Sequence, residues 1–138
     1  MLIIKMVFSF FVPLFLLKKI PKMNHSFSQL FYLKGKHFEK DVKVPIYLRL
    51  TVNGQRNELS ISRKIEPERW NARTGKMRGT SLETNELNSY LDVVRHKINK
   101  IHGRLVDEGR PFNSSDVKNL YLGKGEKIKM IVQLFEEH

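Results

Sequence analysis

The sequence between Val44 and Ile61 reads Val-Pro-Ile-Tyr-Leu-Arg-Leu-Thr-Val-Asn-Gly-Gln-Arg-Asn-Glu-Leu-Ser-Ile. This stretch decides the fold because it specifies its own local structure. Apolar and polar residues alternate on both sides of Asn53-Gly54, which is typical of strands with one buried face. Asn-Gly is also the preferred pair for the two left-handed positions of a type I′ turn. We therefore predict a β-hairpin with Asn53 and Gly54 at its tip.

The turn also fixes which residues of the two strands face each other, since the register is counted outward from it. The predicted pairs are Val52–Gln55, Thr51–Arg56, Leu50–Asn57, Arg49–Glu58, Leu48–Leu59, Tyr47–Ser60 and Ile46–Ile61. Aliphatic residues then share one face of the hairpin, at Ile46, Leu48, Leu50, Val52, Leu59 and Ile61. Polar residues share the other face, at Tyr47, Arg49, Thr51, Arg56, Glu58 and Ser60. The predicted sheet therefore has a core side and a polar side.

The flanking sequence completes an α+β fold. Phe27 to Lys34 is rich in aromatic residues and predicts a first strand, so the hairpin becomes part of a three-stranded antiparallel sheet. From Ser81 onward, apolar residues recur every three or four positions. This spacing predicts a long amphipathic helix packed on the aliphatic face of the sheet. Thr80 and Glu83 match a capping box at the start of that helix.

Shorter segments connect and follow these elements. Glu66 to Asn71 predicts a loop or a single helical turn, with Trp70 as a structural anchor packed against the sheet. Arg73 to Gly79 combines glycines with three cations, and we interpret it as a flexible basic loop. Beyond Pro111, which cannot continue the long helix, Asn113 to Leu122 predicts a short helix.

The N-terminal end differs in composition from the rest of the chain. Met1 to Leu17 is mostly apolar, but its run from Met6 to Leu17 contains Pro13 and is shorter than the roughly 20 residues of a membrane-spanning helix. We interpret residues 1–22 as an extension upstream of a start at Met23. An export signal or a segment lying at a membrane interface is the alternative interpretation.

The predicted organisation is a main domain, a linker and the start of a second domain. The main domain spans residues 23–110, and residues 111–125 form a short helix and a linker. Residues 126–138 carry another apolar helical pattern, which we interpret as the beginning of a truncated helical domain.

Charge indicates the kind of partner. The 138-residue chain has 25 Lys and Arg against 14 Asp and Glu, which gives a formal charge of +11, and its sequence pI is about 10.0. Such a balance favours a polyanion, namely DNA, RNA or an anionic membrane. The chain has no cysteine. Disulfides, thiolate metal sites and a cysteine nucleophile are therefore excluded, in keeping with a cytoplasmic protein.

No residue pattern predicts an enzyme or a cofactor. The chain lacks a phosphate-binding glycine loop, a dinucleotide fingerprint and a His-Glu-x-x-His motif. His96 and His102 are six residues apart on the predicted helix and so lie on different faces. We expect no catalytic residue, no metal site and no cofactor.

A basic binding surface remains, and the polar face of the hairpin is the best candidate for it. Arginine forks, a phenol and a hydroxyl on a rigid strand can read base edges, and basic loops can contact phosphates. Glu58 could either hold Arg49 in place or accept from a cytosine amine. The alternative is that this face is only solvated. The candidate DNA-binding residues are Tyr32, Lys34, Tyr47, Arg49, Thr51, Arg56, Glu58, Arg73, Lys76 and Arg78.

The order of several short motifs resembles the N-terminal portion of tyrosine-type site-specific recombinases, the phage and conjugative-transposon integrases common in Bacteroides-type bacteria. The resemblance covers Met23 to His138. It is carried by Phe31-Tyr32-Leu33-Lys34, Val44-Pro45-Ile46-Tyr47-Leu48-Arg49, Asn53-Gly54, Ile65-Glu66-Pro67-Glu68-Arg69-Trp70-Asn71, Gly75-Lys76 and Leu120-Tyr121-Leu122-Gly123.

The resemblance implies a module that binds arm-type sites in double-stranded DNA, followed by the start of a core-binding domain. The catalytic domain of that family would lie further along, so no tyrosine of this chain is expected to act as the nucleophile. Other recombinase protomers are a further expected partner, whereas a membrane and a small-molecule substrate are not. Two alternatives stay open: an RNA-binding or ribosome-associated basic module, and a membrane-associated protein that uses residues 1–17.

Overall fold

The structure, a computed structural model, describes residues 26–124 of the chain. Its elements are β1 (Phe27–Leu33), β2 (Val44–Val52), β3 (Gln55–Ile65), a 3-10 turn (Pro67–Arg69), β4 (Trp70–Asn71), β5 (Lys76–Met77), α1 (Leu82–Asp107) and α2 (Ser114–Tyr121). Strands β1, β2 and β3 form an antiparallel sheet in that order. The α+β class, with its three-stranded sheet, long helix and shorter helix, is confirmed. The interpretations of residues 1–22 and 126–138 fall outside the described residues.

The hairpin turn adopts the predicted conformation. Asn53 has φ 50° and Gly54 has φ 83°, so both turn residues are left-handed, as a type I′ turn requires. The observed register matches the prediction from Val52–Gln55 at the tip to Tyr47–Ser60. The polar and aliphatic faces of the hairpin therefore lie where the alternation of the sequence placed them.

The last predicted pair, Ile46 with Ile61, is wrong. After Tyr47–Ser60 the next observed pair is Pro45 with Lys64, so β3 carries extra residues in a bulge. Ser62 is left-handed there, with φ 59°. The hydroxyl of Tyr90 on α1 donates to the carbonyl of Ile61 at 2.9 Å, so a helix side chain occupies that backbone acceptor. The bulge bends the end of β3 while Ile46 and Ile61 both stay buried.

The core lies between the aliphatic face of the sheet and α1. Leu91, Val94 and Ile98 of α1 are buried against it, in agreement with the predicted apolar stripe. The buried hydrophobic residues are Phe31, Ile46, Leu48, Leu50, Val52, Leu59, Ile61, Ile65, Trp70, Met77, Leu91, Val94, Ile98 and Val117. Since α1 covers this face, the opposite face of the sheet is left for binding.

The start of α1 differs from the predicted capping box. Ser81, not Thr80, is the N-cap, and its hydroxyl accepts from the backbone N–H of Thr84 at 3.2 Å. Glu83 instead accepts from the guanidinium of Arg69 at 2.9 Å, a contact between distant parts of the chain. Thr80 and Ser81 are both good capping residues. Ser81 caps the helix in the structure, where Glu83 contacts Arg69 and does not complete a capping box with Thr80.

The cap can be tested by two neighbouring substitutions. We expect Ser81→Ala to lower the free energy of unfolding by about 0.5–2 kcal/mol, because it removes the acceptor for an orphan N–H of the first turn. Thr80→Ala is the matched control and should change it by less than about 0.5 kcal/mol. Urea denaturation of both variants measures the difference. The opposite ranking would mean that Thr80 caps the helix.

The segment from Arg73 to Gly79 is not the flexible loop that its composition indicated. Its Lys76–Met77 portion is β5, which pairs with β4 as a small antiparallel ribbon. Met77 is buried, and its N–H and C=O both bond to the side-chain amide of Asn88 on α1. Trp70 is buried in the same core, which agrees with its predicted role as an anchor. The ribbon thus ties the sheet to the first half of α1.

Helix α2 closes the described part of the chain and packs on the hairpin. Asn113 and Asp116 form a capping box at its start. Val117 is fully buried in the common core. The amide of Asn57 on β3 donates to Ser115 Oγ at 2.8 Å. The position of α2 relative to the sheet is therefore fixed by both apolar and polar contacts.

Candidate nucleic-acid interface

The side of the sheet away from α1 is a polar surface contributed by all three strands, and we call it the outer face. The register places Ser28, Leu30 and Tyr32 of β1 beside Thr51, Arg49 and Tyr47 of β2. It places Arg56, Glu58 and Ser60 of β3 on the other side of the same β2 residues. Lys34 follows directly after β1. The outer face thus gathers seven of the ten predicted residues: Tyr32, Lys34, Tyr47, Arg49, Thr51, Arg56 and Glu58.

Glu58 is the centre of a charged network on the outer face. Its Oε1 accepts from Arg49 Nη2 at 3.2 Å and from Arg49 Nε at 3.4 Å. Its Oε2 lies 3.5 Å from Lys34 Nζ. One carboxylate therefore holds two cations that come from different strands. The side chains of Arg49 and Glu58 remain 32% and 33% exposed, so the network is open to a ligand.

Two tyrosine rings support the same cations. The guanidinium of Arg49 lies 4.6 Å from the ring centroid of Tyr32, and Lys34 Nζ lies 4.5 Å from that of Tyr47. A cation over an aromatic face at such a distance is attracted by the ring quadrupole. Each cation is thus held between a ring and the carboxylate of Glu58. This arrangement restricts the rotamers of Arg49 and Lys34 before any ligand binds.

The network also favours the charged form of Glu58. Its carboxyl pKa is lowered by the neighbouring Tyr32 hydroxyl first, then by Arg49 and Lys34. The Tyr32 hydroxyl is buried beside this carboxylate. Burial raises the pKa of Tyr32, and the nearby Glu58 carboxylate raises it further. At neutral pH the outer face therefore presents an ionised Glu58 and an un-ionised Tyr32.

The tip of the hairpin carries the remaining predicted residues of this face. Arg56 is exposed and pairs across the strands with Thr51, which is half-buried. On the other side of Thr51 lies Ser28 of β1. A guanidinium and two hydroxyls therefore stand together next to the turn.

Three predicted residues do not join the outer face. Lys76 Nζ lies 3.4 Å from Asp92 of α1, and Arg78 Nε donates to the carbonyl of Trp70 at 3.3 Å. Arg73 is exposed in the turn that connects β4 to β5. These three cations belong to the ribbon of β4 and β5 and to its turn.

Leu30 belongs to the outer face, although it was not predicted. Its side chain is 45% exposed and pairs with Arg49. An exposed leucine on a polar face is suited to contact a thymine methyl group. Only the β1–β2 register reveals its position, because no tight turn fixes that pairing in the sequence.

Residues 26–124 contain no group of three or more metal-ligating side chains, and His96 and His102 form no such cluster. None of the helices within this range is long and apolar enough to cross a membrane.

The described residues thus form a small α+β module with a polar outer face, in a chain whose formal charge is +11. The family model of the arm DNA-binding domain matches residues 31–118, which is more than half of the 138-residue chain. The chain belongs to the arm DNA-binding domain family. It is therefore a DNA-binding module of the integrase type, and this domain is non-catalytic. No match was found among curated proteins or among solved structures.

Proposed function

We propose that the chain binds arm-type sites in double-stranded DNA in a sequence-specific manner, as the N-terminal module of a tyrosine recombinase that integrates and recombines a mobile element. The observation that carries this proposal is the outer face, where charged and aromatic side chains from three strands are held in fixed positions. The family match supports DNA as the partner.

The dimensions of the sheet suit the major groove. Neighbouring strands lie about 4.8 Å apart, so three strands span about 10 Å, against about 12 Å for the major groove of B-DNA. Because α1 and α2 occupy the other side, the outer face can approach a duplex without rearrangement of the core. Tyr32, Tyr47, Arg49, Thr51, Arg56 and Glu58 are then proposed to lie against or near the base edges.

Phosphate contacts are assigned to the cations around this face. Lys34 and the exposed lysines of the β1–β2 loop flank one end of the sheet, and Arg73, Lys76 and Arg78 lie on the ribbon. Such contacts fix the register of a protein on DNA but carry no sequence information directly.

The proposed domain organisation follows the same family pattern. Residues 23–110 would form the arm-binding domain, and residues 111–125 would link it to a core-binding domain that begins at 126–138. We place the protein in the cytoplasm, with other recombinase protomers as partners.

The proposal predicts the effect of single arginine substitutions at the outer face. Arg49→Ala and Arg56→Ala should each weaken binding to a selected duplex by about 1–3 kcal/mol if the arginine reads a base. Arg104→Ala is the control, since Arg104 is exposed on α1, which packs on the opposite side of the sheet. Fluorescence anisotropy with a duplex selected from a random-sequence pool measures these affinities.

Amide chemical shifts give an independent test of where the DNA lies. Residues 44–61 should show the largest changes on addition of the selected duplex, because the reading strands belong to this hairpin. If the duplex binds but the amides of residues 44–61 do not shift, the interface lies elsewhere. A competition in which A-form RNA displaces the duplex would favour RNA as the ligand.

A further inference from the structure

The contact between Glu58 and Arg49 uses one particular edge of the guanidinium. A guanidinium can donate a pair of hydrogen bonds either from its Nε–Nη2 edge or from its Nη1–Nη2 end. Here Nε and Nη2 both donate to Glu58 Oε1, at 3.4 and 3.2 Å. Neither of these two bonds uses Nη1, and the side chain of Arg49 is 32% exposed. The end of the guanidinium is therefore available to a ligand.

The groups around this pair hold it in one orientation. The ring of Tyr32 lies under the guanidinium at 4.6 Å. Lys34 Nζ lies 3.5 Å from the second oxygen of Glu58, while it also lies over the ring of Tyr47 at 4.5 Å. A side chain fixed in this way loses less conformational entropy when it binds.

Guanine is the base that fits such a group. In the major groove its O6 and N7 are adjacent acceptors, and the end of an arginine donates to both at once. The carboxylate of Glu58 meanwhile repels phosphate oxygens that approach the same place. An arginine held beside an acid is therefore better suited to a base edge than to the DNA backbone.

We propose that Glu58 is a positioning residue that fixes Arg49 for a two-bond contact with a guanine of the arm site. Glu58 thereby sets the preference for that base without touching it. This inference rests on the proposed function, in which the outer face lies in the major groove.

Guanine analogues test the contact in the unmodified protein. A duplex is first selected by the full chain from a random-sequence pool. Each guanine is then replaced singly by 7-deazaguanine, which lacks the N7 acceptor, and separately by adenine. We expect one position at which both changes weaken binding strongly, with adenine costing about 5- to 150-fold. If 7-deazaguanine is tolerated at every position, the inference is overturned.

Glu58→Gln tests the positioning role, because it removes the charge while keeping the shape of the side chain. The ratio of the affinity for the guanine duplex to the affinity for the adenine duplex should fall to less than about one third of its wild-type value. Affinity for duplexes without the guanine should rise, since a negative charge has left the face. Glu86→Gln makes the same charge change at an exposed site on α1 and should leave the ratio unchanged.

Arg49→Lys supplies a second variant that separates positioning from general stability. Lysine has no second edge by which Glu58 could hold it while a pair of donors faces the base, so adding Glu58→Gln to Arg49→Lys should not reduce the ratio further. The inference is overturned if Glu58→Gln alone leaves the ratio at its wild-type value. It is also overturned if Glu58→Gln reduces the ratio as much in the Arg49→Lys background as it does in the wild type. If instead Arg49→Ala leaves binding to the selected duplex unaltered, the interface given under the proposed function is the statement that fails.

Discussion

Leu48→Ala is expected to lower the free energy of unfolding by about 2–5 kcal/mol. Leu48 lies in β2, the central strand of the sheet, and its exposure is 0%. Truncation removes apolar surface from the core and leaves a cavity that the strand cannot close without breaking its pairing on both sides. Urea or thermal denaturation of the variant measures the loss.

The same substitution at Leu82 is the matched control. Leu82 is the first residue of α1 and is 74% exposed, so Leu82→Ala removes no buried contact. We expect the free energy of unfolding to change by less than about 0.5 kcal/mol, because alanine also has a high helix propensity. A similar loss for both variants would show that the core does not lie between α1 and the sheet.

Salt is expected to have a comparably large effect on the affinity for DNA. If the module neutralises about six phosphates, log K should fall with log salt with a slope of about −5, or roughly a thousandfold between about 50 and 200 mM. Replacing both Lys36 and Lys40 with alanine should make that slope shallower by about two, because each cation releases about one counterion. Both lysines are exposed in the β1–β2 loop, at the end of the sheet where Lys34 follows β1.

Lys97 and Lys100 allow a control that removes the same charge. They are exposed on α1, which covers the core side of the sheet. The Lys97→Ala, Lys100→Ala double variant should leave the salt slope unchanged in a fluorescence titration. If both double variants flatten the slope equally, binding depends on the overall charge of the chain and not on a defined interface.

The hairpin was predictable because its information is local. Asn53 and Gly54 fix the turn, and the alternation of side chains then fixes the faces as far as Tyr47. No local signal indicates the bulge beyond that point, because serine is not a residue that favours the left-handed backbone that Ser62 adopts. The bulge depends on tertiary packing, and Tyr90 reaches its backbone from a helix that is distant in sequence.

The errors around the start of α1 have a similar cause. Ser81 and Thr80 are both good capping residues, and local sequence favoured Thr80 because Glu83 stands three positions later. In the fold, Glu83 contacts Arg69 instead. The basic segment before the helix becomes a ribbon because Asn88 satisfies both backbone groups of Met77. Composition alone cannot show such a partner.

The outer face was predictable strand by strand, but its network was not. The sequence placed Arg49 opposite Glu58 on adjacent strands. The sequence could not show that Tyr32 and Lys34 contact Arg49 and Glu58, because the β1–β2 loop is long and does not set the register between β1 and β2. Leu30 was missed for the same reason. Whether these residues contact DNA stays a prediction.

The two outer strands of the sheet differ in how they discourage pairing with another chain. Within the described residues β1 pairs only with β2, and its segment Phe27–Leu33 carries no charge and no proline. Such a segment adds readily to other strands and is an aggregation hazard when its edge is open. The β3 edge is interrupted by its bulge and carries Arg56, Arg63 and Lys64. Lys34 and Lys36 follow β1 and are exposed, so variants that lose such lysines have to be checked for aggregation as well as for affinity.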